Sequence, residues 1–142
     1  MKRLFFLLSV LAVFVFFPNL DAGGRDDINV IRPAGNARIY MGTETEISWH
    51  SSPALAAKHR VVDIYAVYLK GNDKILVRKN CPNNPRINRI TWNIQRRIHS
   101  SKLGKYKIRI YSKKRPRRGK RILGSGNEFS IVAPDFRVFN AI

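Results

Sequence analysis

The sequence predicts an all-β protein, a sandwich of two antiparallel sheets. Three observations lead there. Apolar residues repeat with a period of two in several short runs, the spacing of a half-buried strand. Turn signals built on Gly, Pro, Asn and Asp recur roughly every ten residues. Helical periodicity is almost absent.

Taken in order, the chain opens with Met1-Lys2-Arg3 and an apolar stretch of 14 residues, Leu4 to Phe17, broken only by Ser9. A membrane span needs roughly 20 apolar residues, so this reads as a basic start and core of a secretory signal. Pro18 ends it, and Leu20-Asp21-Ala22 offers a cut site. Residues 1–22 are therefore expected to be a signal peptide, and residues 23–142 one domain with one core.

Ile28 to Arg32 is a short β-branched run stopped by Pro33, and Pro-Ala-Gly-Asn turns the chain. Thr43 to Trp49 alternates, with Thr45, Ile47 and Trp49 on one face. Ser51-Ser52-Pro53 breaks it, and Pro53 to Lys58 has room for one helical turn. Arg60 to Leu69 is apolar on both faces. Gly71-Asn72-Asp73 signals a hairpin, returned by Lys74 to Lys79. Asn80 to Arg86, with two prolines and three asparagines, reads as a loop. Ile87 to Ile94 and Tyr106 to Tyr111 follow as strands, and Lys107 and Arg109 alternate outward on the second. Gly124-Ser125-Gly126 is a bulge or turn before the last strand, Glu128 to Val132. About seven strands in this length indicate an immunoglobulin-like sandwich. Gly104-Lys105-Tyr106-Lys107-Ile108 looks like its tyrosine corner, with Ile108 where such domains carry a core cysteine; Tyr106 as a plain strand aromatic is the alternative.

Cys81 is the only cysteine, so no intramolecular disulfide can form. It is an unpaired loop cysteine beside Pro82, an intermolecular link, or a reactive thiol.

These strand motifs together resemble a known family. They are Ile28-x-Val30-x-x-Pro33, Gly42 with Ile47-x-Trp49, and Val62-Asp63-Ile64-Tyr65, then Thr91-Trp92, Gly104-x-Tyr106-x-Ile108-x-Ile110, and Ser125 before Phe129-x-Ile131. The chain resembles the immunoglobulin-like N-terminal domain of the fungal Ser/Thr-rich GPI-anchored family, which includes yeast cell-wall-synthesis proteins linked to β-glucan assembly. The match runs from Ile28 to Val132. It implies a secreted fungal protein and carries no catalytic residues. The family usually continues into a Ser/Thr-rich stalk and an apolar anchor signal; this sequence ends Asp135-Phe136-Arg137-Val138-Phe139-Asn140-Ala141-Ile142. No Asn-x-Ser/Thr sequon is present.

Charge departs furthest from the average. The formal net charge is +18. Residues 23–73 hold six basic and six acidic side chains, whereas residues 74–121 hold eighteen basic and none acidic. A merely soluble surface mixes both signs. Such a block seeks polyanions. Its sharpest part is Lys113-Lys114-Arg115-Pro116-Arg117-Arg118-Gly119-Lys120-Arg121, an expected exposed loop at 113–121. Lys113-Lys114-Arg115-Pro116-Arg117 fits the short basic pattern read by nuclear import receptors, and Lys113, Lys114, Arg115, Arg117, Arg118, Lys120 and Arg121 are the candidate import or polyanion-binding residues. A nonspecific polyanion patch, a solvated basic hairpin and a set of dibasic processing sites are the competing readings. Arg96, Arg97, Lys105, Lys107 and Arg109 are expected to extend the patch into an accessory basic face. Base readout is not suggested, because no recognition helix or stacking motif is evident.

Catalysis is not expected. His50, His59 and His99 lack metal-ligand spacing, and no cofactor is implied. After residue 73 the acids number only two, Glu128 and Asp135, which leaves few candidates for a carboxylate pair. A secretory signal and an import motif agree if the protein leaves one cell and enters another. The expectation is a secreted, non-enzymatic effector-type protein of a host-colonising fungus. It would pass a host nuclear import receptor and meet chromatin, through DNA phosphates or histone-associated acidic surfaces. The alternative is a wall protein assisting β-glucan assembly or holding anionic wall polymers. A membrane-active cationic protein ranks third, and stable membrane insertion is not expected, for want of an amphipathic basic helix.

Overall fold

The alternating runs become strands, and their apolar members meet between two sheets. The protein is represented by a computed structural model that describes residues 28–94, 98, 100–113 and 119–134. The expected signal peptide at 1–22 lies outside them. The strands are β1 (Asn29–Arg32), β2 (Arg38–Tyr40), β3 (Glu44–Ser51), β4 (Val61–Tyr68), β5 (Lys74–Pro82), β6 (Arg86–Asn93), β7 (Gly104–Ser112) and β8 (Ile122–Val132). One sheet has the order β1-β3-β6 and the other β2-β8-β7-β4-β5. This is the immunoglobulin-like sandwich the sequence predicts.

The core is filled from both sheets. Ile47 and Trp49 come from β3, Trp92 from β6, Val62, Ile64 and Ala66 from β4, Ile108 and Ile110 from β7, and Phe129 and Ile131 from β8. Each of the larger aliphatic and Phe side chains contributes about 1.5–3 kcal/mol on burial, which lets the domain hold without a disulfide. Tyr106 is fully buried, and its hydroxyl donates to the Lys102 carbonyl four residues upstream. That is the expected tyrosine corner. Burial, with the neighbouring Tyr68 and Asp73, pushes its phenol up to about 12.

A buried asparagine closes one end. Asn83 Oδ1 accepts from Trp49 Nε1 at 3.0 Å, and its Nδ2 donates to Ser51 Oγ at 3.2 Å and to the His59 carbonyl at 2.9 Å. One side chain thus ties β3, the segment that leads into β4 and the β5–β6 connection. The short helix α1 (Pro53–Lys58) forms as expected. Ser52 Oγ accepts from Leu55 N, and Pro53 begins the helix where its missing N–H costs nothing.

Four features differ from the expectation. β2 is a three-residue strand too short to register as a run, and it pairs in parallel with β8. The turn at Ala34 to Asn36, with Asn36 at φ +61°, carries the chain from one sheet to the other. β5 continues through Asn80 and Cys81 to Pro82. Cys81 is therefore a buried core residue rather than a loop thiol; burial pushes its pKa up to about 11. Finally, β8 starts at Ile122, and the Gly124-Ser125-Gly126 segment lies inside it. The register slips there, with Arg109 opposite Ser125 and Lys107 opposite Glu128.

Candidate polyanion-binding face

β7 aligns the first set of cations. Tyr106, Ile108 and Ile110 are buried inward, so alternation turns Lys105, Lys107 and Arg109 outward. Next to β7 lies β4, whose Asp63 and Tyr65 stand opposite Tyr111 and Arg109. Beyond β4, the edge strand β5 contributes more cations. Its Ile75 and Val77 pack on the core, which leaves Lys74 outward. Lys79 lies near enough to Asp63 to influence its ionisation. The outer face of the five-stranded sheet thus carries Lys74 and Lys79 on β5 and Lys105, Lys107 and Arg109 on β7, with Lys120 arriving from the basic segment.

The centre of this face is a latch. Lys120 Nζ lies 2.7 Å from Asp63 Oδ2 and donates to the Tyr65 hydroxyl at 2.6 Å. It also sits 4.9 Å from the Tyr65 ring centroid, a cation–π distance. Asp63 Oδ1 accepts from Asn80 N at 2.9 Å. Burial alone would push the Asp63 carboxyl up. The hydrogen bonds from Lys120 and Asn80, with the charges of Lys120 and Lys79, outweigh it and hold it below its ordinary value. Lys120 is raised in turn by its bonds to Asp63 and Tyr65. Tyr65 and Tyr111 meet edge to face at 5.2 Å, and Lys74 Nζ lies 5.1 Å from the Tyr111 ring. Both rings are capped by an ammonium group.

Elsewhere on the face the pairs are looser. Glu128 bridges Lys105 and Lys107 at 3.6 Å each, with 43% of its side chain exposed. Exposed pairs of this kind contribute about 0–1 kcal/mol.

The expected basic loop is only partly visible. Lys114, Arg115, Arg117 and Arg118 lie outside the described residues, as do Arg96 and Arg97. Lys113 and Arg121 are exposed at the two ends of the segment. The stem is closed by Ser112 N donating to the Arg121 carbonyl at 2.8 Å and by Arg121 N donating to Ser112 Oγ at 2.9 Å. Lys120 departs from expectation: its charge is engaged by Asp63, so it anchors the segment rather than reaching for a partner. Lys105, Lys107 and Arg109 are brought together as expected. Lys74, Lys79 and the Asp63 latch were not foreseen. A lone acid in the apolar run Val61 to Tyr68 was the available signal, since such a residue needs a cationic partner when buried.

Among the described residues, no group of three His, Cys, Asp or Glu side chains could hold a metal ion. No helix among them is long and apolar enough to cross a membrane. No family model and no curated protein matches the chain. Among solved structures, it is similar to the fibronectin(III)-like modules of Clostridium thermocellum CbhA. The identity is 12%, the alignment covers 75% of this chain and 93% of that chain, and the TM-score is 0.39.

Proposed function

We propose that this is a secreted, strongly cationic, non-enzymatic effector-type protein of a host-colonising fungus. The 113–121 segment carries it into the host nucleus, where it binds chromatin by charge. One observation supports the reading most. The acid-free block supplies five cations to a single sheet face, and the segment that bears the import pattern leaves and re-enters that sheet between Ser112 and Arg121. The stem bonds between Ser112 and Arg121 and the Lys120–Asp63 contact keep the described ends of the 113–121 segment at the same sheet.

The test is the location of a fluorescent fusion lacking residues 1–22 inside a host cell. It is compared with a variant in which Lys113, Lys114, Arg115, Arg117, Arg118 and Arg121 are Ala. Lys120 is kept, because its removal would disturb the sheet. A nuclear parent and a cytoplasmic variant are expected. A parent that stays diffuse overturns the nuclear reading and gives first place to the fungal wall.

A further inference from the structure

The cations on the five-stranded sheet form two rows. Lys105, Lys107 and Arg109 occupy alternate positions of β7, so neighbouring members stand about 7 Å apart. Lys74 and Lys79 lie on β5, and β4 separates the two strands. With strands about 4.8 Å apart, the backbones that carry the two rows are roughly 10 Å apart. A groove of double-stranded DNA is bordered by two phosphate backbones, and the major groove is about 12 Å wide. Two parallel cation rows at this separation match two backbones better than one.

The strip between the rows argues the same way. A protein that takes single strands offers aromatic faces for bases to stack on. Here Tyr65 lies under Lys120, Tyr111 lies under Lys74, and Tyr111 is 5% exposed. Neither ring offers a bare face. Tyr40 is open at 42%, but it stands on β2 at the opposite edge of the sheet. The surface is equipped for phosphates and not for bases.

Glu128 has a place in this arrangement. Its carboxylate sits between Lys105 and Lys107, where a phosphate oxygen would be held. The pairs are long and half exposed, so exchange for a backbone phosphate costs little.

We infer that the outer face of the five-stranded sheet binds the phosphate backbones of double-stranded DNA without reading its sequence, and that Glu128 is an internal counter-anion which the bound phosphates displace. The inference rests on the chromatin reading above and names the ligand and the surface.

The experiment is fluorescence anisotropy with the purified protein, a 20-base-pair duplex of arbitrary sequence and the matching single strand, across a salt series. Five contacts give a slope of log K against log salt of about −4 to −5. The duplex is expected to bind at least several-fold tighter than the single strand. Lys79→Gln with Arg109→Gln weakens duplex binding about tenfold and flattens the slope by about two. Glu128→Gln tightens it several-fold. Unchanged melting temperatures show that these substitutions leave the fold intact. Equal or tighter binding to the single strand overturns the inference, as does a Lys79/Arg109 variant with unaltered affinity and slope. A nuclear fusion without duplex binding overturns this inference and leaves the nuclear reading standing. Duplex binding by a protein that remains cytoplasmic does the reverse.

Discussion

At the scale of single residues, Lys120 shows why a cation in a basic run is not automatically a ligand-binding group. Its neighbours in sequence are exposed where described, yet its own side chain is 27% exposed and lies against a carboxylate that is 2% exposed. Among the described residues, removing it would leave Asp63 buried with the Asn80 N–H as its remaining hydrogen-bond partner. Losing a hydrogen bond to a charged group costs about 1.5–3 kcal/mol. Lys120→Ala is therefore expected to destabilise the fold by about 2 kcal/mol, read from the urea midpoint, while exposed Lys113→Ala stays within about 0.5 kcal/mol of the parent. The double variant Lys120→Ala/Asp63→Asn should recover part of the loss, because the stranded charge is gone. Equal midpoints for the two single variants would mean that the latch contributes nothing. The sequence shows seven cations of one kind in this segment. Which of them faces an acid depends on β4, some 55 residues away, and no local pattern carries that information.

At the scale of elements, β8 illustrates what was legible and what was not. Phe129 and Ile131 alternate cleanly, so the second half of the strand could be read directly. The first half contains Gly124 and Gly126, which read as turn residues, so the sequence alone starts the strand after them. The structure gives Gly124 another task. A Cβ there would lie 2.2 Å from the Ile28 carbonyl oxygen, and Ile28 N donates to the Leu123 carbonyl at 2.6 Å. The entry to β1 crosses β8 at this point and joins one sheet to the other. Glycine permits the approach because it has no side chain. Gly124→Ala must push two backbones apart and is expected to cost at least about 2 kcal/mol, whereas exposed Ser125→Ala costs little. Similar denaturation midpoints for the two variants would refute this account of the crossing. β2 and the extension of β5 through Cys81 were missed for a related reason. Three residues are too few to show a period, and Asn80 and Pro82 carry turn chemistry that the sheet overrides.

At the scale of the whole molecule, the fold was readable because the core positions of the strands recur with the right period. The charge asymmetry was readable as well, but its arrangement was not. Lys107 and Arg109 could be placed on one face because they alternate on one strand. Adding Lys74 and Lys79 to that face requires knowing that β4 lies between β5 and β7, and that is a long-range pairing. The same arrangement sets the response to acid. The chain has nine acidic residues, and Asp63 is the buried carboxylate among those described. Its folded pKa lies below the ordinary 3.8, so its contribution is fully present above that value. The contribution is lost as pH falls through the lower, folded value. Lys120 is raised above 10.5 and Tyr106 to about 12. Their contributions are present below about 10 and are lost as pH rises through the folded values. Melting temperature should therefore be level through neutral pH, fall below pH 4 and fall again above pH 10. Asp63→Asn is expected to begin from a lower plateau and to lose most of the acid arm, together with the Lys120 share of the alkaline one, while keeping the Tyr106 share. If parent and variant fall in parallel below pH 4, acid unfolding follows protonation of the other carboxylates, which then no longer offset the eighteen cations of the 74–121 block, rather than protonation of Asp63.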